Sequence, residues 1–241
     1  MLKCLPAQYS GGGNSVAPKP AFTLAEVLIT LGIIGIIAAL TLPAVINNTQ
    51  KKERREALKK VYSVLQQALL MYQKDTGEDI TLTTFNTETE ALKKAILPYF
   101  NGAVDCGKGT ENTACLYNSI ETNKYKNYNN TNGAQKAYLD DGQYVAIDGM
   151  MYFFENEASS SEGATGRIFI FVDVNGFNRN PNQLGRDLFA FELVEKGKIL
   201  PVGADETHYD ENIYCSKTST SSLNGIACTN RALYDNNFWK D

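Results

Sequence analysis

Residues 19–46 read KPAFTLAEVLITLGIIGIIAALTLPAVI, and this stretch decides the fold class of the chain. No charged residue occurs from Val27 to Gln50, and the apolar core of the stretch has no polar face. About 20 such residues in a helix span roughly 30 Å of hydrocarbon. A secretory signal peptide would have a shorter apolar region with its cleavage site behind it. The pattern therefore predicts a membrane helix, kinked at Pro43, where a backbone donor is missing.

The helical pattern continues beyond Lys51 but becomes amphipathic. One apolar stripe recurs at spacings of three and four residues, and charged residues surround it. Its members are Leu58, Val61, Tyr62, Leu65, Ala68, Leu69 and Tyr72. We predict one long helix from Thr23 to Lys74, stopped at Gly77 and packed on a globular head by this stripe.

The remaining sequence predicts a short helix followed by an antiparallel sheet. Thr87 and Glu90 have capping-box spacing at the start of a helix over 87–97, and Pro98 would end it. A polar loop over 101–135 follows, with the Tyr- and Asn-rich run TNKYKNYNNTNG, which we interpret as solvated. The predicted strands are Gln143–Ile147, Met150–Glu155, Arg167–Val174, Leu188–Val194 and Lys198–Val202. The fold class expected is α+β, with a long helix on a sheet of four or five strands.

Composition excludes few function classes. The chain has 241 residues and a net charge of −4, with no basic patch beyond Lys51–Lys60, which argues against nucleic acid as its main ligand. The single histidine, His208, has no nucleophile motif around it, and no phosphate-binding loop is present. We therefore do not expect an enzyme, and any motor ATPase would be a separate protein.

The cysteines favour an exported protein. Besides Cys4 there are two closely spaced couples, Cys106 with Cys115 and Cys215 with Cys228. Disulfides persist in exported compartments, whereas zinc sites favour tighter spacing and often use histidine. Zinc or free thiols are the alternatives. Because a membrane segment precedes the couples, we predict a disulfide within each.

Residues 19–46 closely resemble the class III signal of type IV prepilins and type II secretion pseudopilins. In that family a small residue, here Ala21, precedes the cleavage point, and the new N-terminal residue, here Phe22, becomes N-methylated. A glutamate stands fifth in the mature chain, here Glu26, and a proline near the 22nd position, here Pro43. The resemblance implies a leader over 1–21, a transmembrane assembly helix over 22–50 and an exported head over 51–241.

The resemblance also implies how such a chain assembles. The Glu26 carboxylate, costly if unpaired at the edge of the hydrocarbon, would pair with the amino terminus of a neighbouring subunit. The alternative is an interfacial residue favoured by the dipole of the helix N-terminus. The implied partners are a prepilin peptidase and methyltransferase, other pilin or pseudopilin subunits, an inner-membrane assembly platform and a separate ATPase. The chain would sit in the bacterial inner membrane with its head in the periplasm.

The head residues leave two questions open. The Cys215–Cys228 loop resembles the disulfide-bounded region of many pilins, and some pseudopilins bind calcium in a C-terminal loop. Asp173, Asn175 and Asp187 offer hard oxygen ligands, although D-x-N-G is first of all a turn signal. We expect no cofactor, with calcium as the alternative. The function expected is a structural subunit of a pseudopilus or pilus; the alternative is a minor pilin acting as an adhesin or DNA-uptake module.

Overall fold

The computed structural model describes residues 22–116, 124–157 and 166–240. The predicted leader, Cys4 and Ala21 lie outside the described residues. The chain divides into two compact units, one that ends at Asn47 and one that begins at Asn48.

Helix α1 runs from Leu24 to Thr76, as the sequence predicts to within two residues. It ends where Gly77 adopts a φ of +71° and donates its N–H to the Gln73 carbonyl at 2.8 Å. This left-handed residue is what a helix C-terminus of this type requires, and glycine adopts it without steric cost. The buried residues of α1 all belong to the predicted stripe: Leu58, Val61, Leu65, Ala68 and Leu69.

The second helix is shorter than predicted. Helix α2 spans Ala91–Ile96 and is followed by a 3-10 turn over Leu97–Tyr99 that contains Pro98. The predicted capping box is wrong, because the N-cap is Glu90 and no side chain caps the helix. Lys93 explains the later start, since its ammonium is fully buried and ion-paired with Glu90, which turns this carboxylate towards the core.

The head contains one antiparallel sheet of six strands in the order β1-β2-β3-β4-β5-β6. Its strands are β1 (Val104–Asp105), β2 (Gly142–Val145), β3 (Met151–Asn156), β4 (Ile168–Asp173), β5 (Leu188–Val194) and β6 (Lys198–Pro201). Strands β2 to β6 confirm the five predicted strands, and β1 is the one the sequence does not signal. The α+β fold class is confirmed. Two further helices, α3 (Glu211–Tyr214) and α4 (Cys228–Tyr234), follow the sheet.

The sheet is covered on both faces. Side chains of β3 to β5 alternate between two apolar clusters, because successive residues of a strand point to opposite faces. Phe154, Ile170 and Phe191 pack in the same cluster as the α1 stripe. Phe153, Phe169 and Phe171 pack on the other face, in a cluster with Tyr125, Tyr209 and Ile226. This two-sided burial explains why the central strands read as nearly continuous apolar runs.

The segment predicted as a solvated loop contributes to the core. Tyr125 is fully buried and Tyr128 is 5% exposed, and the Asn127 side chain accepts hydrogen bonds from the Thr131 and Asn132 backbone amides. Of the run TNKYKNYNNTNG, residues 122 and 123 lie outside the described part of the chain. The solvated interpretation is therefore wrong for both tyrosines: Tyr125 packs in the cluster on the far face of the sheet, and Tyr128 packs in the cluster that contains the α1 stripe.

Candidate functional site

The predicted processing site lies at the edge of the described residues. Phe22 is 86% exposed and precedes the first turn of α1. Nothing in the described part of the chain covers it, so a peptidase or a methyltransferase could reach its backbone nitrogen. Cleavage between Ala21 and Phe22 and methylation of Phe22 stay predictions.

Glu26 forms a reciprocal cap with Thr23 at the start of α1. The Thr23 backbone N–H and hydroxyl donate to Oε2 of Glu26 at 2.9 and 2.8 Å, and the Glu26 N–H donates to the Thr23 hydroxyl at 3.2 Å. This is a capping box, in which two side chains satisfy backbone donors that a helix start leaves free. The cap uses Oε2, and Oε1 accepts no hydrogen bond from the described residues. One carboxylate oxygen thus remains available to a neighbouring chain.

The apolar segment that follows Glu26 hides its few polar groups within the helix. The Thr30 hydroxyl donates to the Glu26 carbonyl and the Thr41 hydroxyl to the Ile37 carbonyl, each at 2.9 Å. An 18-residue window of α1 has a mean hydropathy of 2.5, and none of it is buried. By length and composition this helix can cross a membrane. Pro43 lies inside the continuous helix, and its predicted kink stays a prediction.

Both predicted disulfides are present. Cys106 bonds to Cys115 across a Cα–Cα distance of 5.2 Å, and Cys215 bonds to Cys228 across 4.9 Å. The second bond joins the end of α3 to the start of α4. Cys228 is fully buried there, in the same core cluster as the α1 stripe. Zinc and free thiols are thereby excluded for these four residues.

Asp173, the first candidate calcium ligand, is buried at the end of β4. The Tyr125 hydroxyl donates to its Oδ2 at 2.7 Å, and the backbone N–H groups of Asn175 and Gly176 donate to its Oδ1 at 3.2 and 2.9 Å. Burial, with the nearby Asp187 carboxylate, raises the pKa of Asp173 to about 7. The two backbone hydrogen bonds to Oδ1 confirm the turn that the sequence D-x-N-G predicts.

Asp187 lies close to Asp173 and is also fully buried. Its two oxygens accept the backbone N–H groups of Asn182 and Gln183 at 2.8 and 2.6 Å. Burial raises its pKa. A cation would relieve the repulsion between the two carboxylates. Since each oxygen already accepts a hydrogen bond, the arrangement fits an internally bonded turn better than a cage of open ligands. Calcium binding at this pair and Asn175 stays a prediction.

Two charged clusters of the head gave no signal in the sequence. Lys93 is 1% exposed, and its ammonium bonds to Glu90, to Asp105 at 2.8 Å and to the Gly107 carbonyl at 3.3 Å. It ties α2 to β1 and needs no ligand. Carboxylate oxygens of Asp140, Asp141 and Glu155 lie within 4.8 Å of one another. Each cluster is completed by a residue from another element, Asp105 for Lys93 and Glu155 for the two aspartates, so periodicity could not indicate it.

His208 contacts a charged residue of a neighbouring segment. Its ring nitrogens contact the Arg167 guanidinium at 2.6 and 2.9 Å, and its backbone N–H donates to Glu192 at 2.7 Å. Partial burial and the Arg167 charge lower its pKa. In the described ranges no serine or cysteine side chain bonds to it, so the geometry supplies no nucleophile and base pair.

Comparison with known proteins gives one partial match. Over 65 residues the chain is 35% identical to the protein named type II secretion system core protein G of Pectobacterium carotovorum subsp. carotovorum. The match covers 27% of this chain and 41% of that protein, which is less than half of the relative's length. No family model matches the chain, and no solved structure matches it significantly. The resemblance to the type II secretion pseudopilins, predicted from residues 19–46, is confirmed by this similarity and by the long apolar helix α1.

Proposed function

We propose that this chain is a structural subunit of a type II secretion pseudopilus or of a type IV pilus. A prepilin peptidase would cleave it before Phe22, and it would assemble through α1. The observation that carries the proposal is the start of α1. There Phe22 is exposed, and Glu26 uses one of its two carboxylate oxygens in the helix cap. The apolar segment that follows is not buried by the described residues. The similarity to a secretion-system core protein supports a pseudopilus subunit.

The apolar segment would drive assembly because none of its hydrophobic window is buried in the described chain. Side chains that no part of their own chain buries gain free energy from lipid or from the same segment of another subunit. A filament of staggered helices would satisfy them without lipid. Pairing of Glu26 with the amino group of Phe22 in a neighbour would fix the stagger, because it joins the only charges at that end of the helices. The head would then lie in the periplasm, where its disulfides persist.

The adhesin or DNA-uptake alternative gains no support from the part of the head that the structure describes. It rests on the Tyr- and Asn-rich run or on the Cys215–Cys228 loop as a binding surface. Tyr125 and Tyr128 are buried and cannot offer their rings to a ligand. The Asn129 and Asn132 side chains donate to carbonyls of Ser219 and Thr220 in the disulfide loop, at 2.6 Å each. The Tyr- and Asn-rich run and the disulfide loop are thus hydrogen-bonded to each other.

Two substitutions separate the pairing role of Glu26 from its capping role. Glu26→Gln removes the charge but keeps an amide oxygen that can complete the capping box. Thr23→Ala removes the cap and keeps the carboxylate. We expect Glu26→Gln to leave membrane insertion intact and to lower subunit affinity by roughly a hundredfold, or about 2.7 kcal/mol, which lies in the range for removing one partner of a buried charge pair. Thr23→Ala is expected to assemble.

The measurement is the yield of filaments sheared from cells, with membrane fractionation as the control for insertion. Normal filament yield from Glu26→Gln would contradict the pairing. Equal loss from both variants would show instead that the helix start, rather than the charge, is what assembly requires.

A further inference from the structure

The two disulfides of the head differ in how much of each reaches the surface. Of their four cysteines Cys115 alone is exposed, whereas Cys106, Cys215 and Cys228 are 2%, 6% and 0% exposed. Cys115 also lines a cleft of about 260 Å³, which leaves room for a group beside it. Thiol–disulfide exchange begins when a thiolate attacks one of the two sulfurs, so it requires access to that sulfur. The difference in exposure therefore distinguishes the Cys106–Cys115 bond as the reactive one.

The Cys215–Cys228 bond is closed to an attacking group. Both of its cysteines pack in the core cluster that contains the α1 stripe. The backbone of Gly185 lies so close that a methyl group added there would be 2.8 Å from Cβ and 3.0 Å from Sγ of Cys228. An attacking thiolate is larger than a methyl group, so it could reach this bond only after local unfolding of the head.

The loop between Cys106 and Cys115 is held to β2 by hydrogen bonds that do not involve the sulfurs. The Cys106 N–H donates to the Gln143 carbonyl at 3.0 Å, and the Gln143 N–H donates to the Gly107 carbonyl at 2.8 Å. The buried Gln143 side chain accepts the Leu116 N–H at 3.1 Å and donates to the Leu116 carbonyl at 2.9 Å. Because Gln143 holds both ends of the loop, the two cysteines would stay close together after the bond between them opens.

Cys106 is placed to act as the leaving group of an exchange reaction. Its Sγ lies 3.5 Å from the Val104 carbonyl oxygen, which can accept the S–H of a released thiol. Since Cys106 is buried, an external thiol would reach Cys115 and leave Cys106 unmodified. The released Cys106 would then be the sulfur closest to any adduct on Cys115.

We propose that Cys115 is the point at which an external thiol of the glutathione class enters the folded head, and that the Cys106–Cys115 bond opens and closes reversibly there. The thiolate forms a disulfide with Sγ of Cys115, the bond to Cys106 breaks, and Cys106 leaves as a thiolate that takes a proton from water. Attack by Cys106 on the mixed disulfide releases the thiol and restores the original bond. The proposal does not rest on filament assembly.

Peptide mapping of the intact protein tests the entry point. The oxidised full-length protein in detergent is incubated briefly with reduced glutathione, free thiols are blocked with iodoacetamide, and the peptides are analysed without reduction. We expect glutathione on Cys115, the alkyl label on Cys106 and an intact Cys215–Cys228 bond. The exposed bond should open at least about a hundredfold faster, because a buried bond reacts only after local unfolding. Circular dichroism should be unchanged, since the head stays folded.

Two single substitutions compare the sulfurs of the exposed bond with each other. Cys106→Ser leaves the Cys115 thiol free, and Cys115→Ser leaves the Cys106 thiol free. With an aromatic disulfide that releases a coloured thiol, we expect Cys106→Ser to react about a hundredfold faster than Cys115→Ser in the folded protein. In guanidinium chloride the two variants should react equally, which controls for the intrinsic reactivity of each thiol.

Several outcomes would overturn the proposal. Glutathione on Cys106, or equal opening rates for the two disulfides, would refute Cys115 as the entry point. Equal rates for the two serine variants in the folded protein would do the same. Opening only under conditions that abolish the circular dichroism signal would show that exchange requires unfolding. After glutathione is removed in air, pairing of Cys106 or Cys115 with Cys215 or Cys228 would refute the reversible step. Each of these results would leave the proposed function standing.

Discussion

The two parts of helix α1 place similar apolar side chains in opposite surroundings. Ile34, before Lys51, is 61% exposed, whereas Leu65, behind it, is fully buried against the sheet. The earlier part is apolar on every side and the later part on one stripe, so the sheet can cover only the later part. A helix without a polar face must find its cover outside its own chain. The difference thus separates a segment that the described chain leaves exposed from one that folds as part of the head.

The largest effect is expected from removing the earlier part. A chain beginning at Lys51 should fold as a soluble monomer and form no filaments, because its core keeps the stripe from Leu58 to Leu69. Thermal unfolding under oxidising conditions and electron microscopy of concentrated protein measure the two properties. Filaments formed by this shortened chain would contradict the assembly role of the apolar segment. An unfolded chain would show that the head needs the earlier part.

One substitution in each part sharpens the contrast. Leu65→Ala should destabilise the head by about 2–5 kcal/mol, because it leaves a cavity in a fully buried site. Ile34→Ala shortens a side chain that is 61% exposed and belongs to the other compact unit, so it should leave the free energy of unfolding of the head unchanged. Denaturant unfolding of the full-length protein in detergent, followed by the fluorescence of Trp239, compares them. Equal destabilisation by both substitutions would contradict the division.

The disulfides test the head alone. Replacing Cys215 and Cys228 with serine should lower the stability of the head by about 2–4 kcal/mol, the range for loops of this length. The same change at Cys106 and Cys115 is the matched comparison, since its loop is shorter, with a sequence separation of 9 against 13. Both double variants should insert into membranes as the wild type does. Loss of insertion in either would show that head and anchor are not independent.

The smallest effect concerns the buried carboxylates of the head. Burial raises the pKa of Asp173 to about 7, so the folded head keeps this proton at a pH where the unfolded chain has released it. Stability from this group is present below about pH 4 and is lost as the pH rises through about 7. Glu192, with a pKa raised to about 6 by burial, acts in the same direction.

The free energy of unfolding of the wild type should therefore fall between about pH 4 and pH 7. Asp173→Asn should make this fall smaller by at least about 1 kcal/mol. The control is the exposed Asp205→Asn, for which we expect the wild-type slope. An unchanged slope for Asp173→Asn, measured by denaturant unfolding across this pH range, would refute the assignment.

The sequence pattern alone was sufficient to predict the elements whose buried residues recur at one regular spacing. The α1 stripe, the Gly77 cap and strands β2 to β6 are set by spacings of three, four and two residues, and all were predictable. The disulfides were predictable from short cysteine spacings behind a membrane segment. The start of α2 was not, because it depends on the buried Lys93, which pairs both with Glu90 and with Asp105 in β1.

Long-range contacts account for the rest. Tyr125 reads as a loop residue among asparagines, yet its ring covers the far face of the sheet and its hydroxyl bonds to Asp173. Nothing within a few residues of Tyr125 signals this. At the start of α1, the motif predicts an assembly role for Glu26, which stays a prediction, and its capping bond to Thr23 is visible only in the structure.

The most direct test of the central claim is the intact mass of the protein purified from membranes of cells that contain the prepilin peptidase. We predict a chain that begins at Phe22, carries one methyl group on its amino terminus and contains both disulfides. The exposed Phe22 and the capped Glu26 immediately before the apolar segment are the reason. A mature chain that begins at Met1 would contradict processing. One that begins behind residue 45 would contradict the assembly helix, because the apolar part of α1 would then have been removed as a signal peptide.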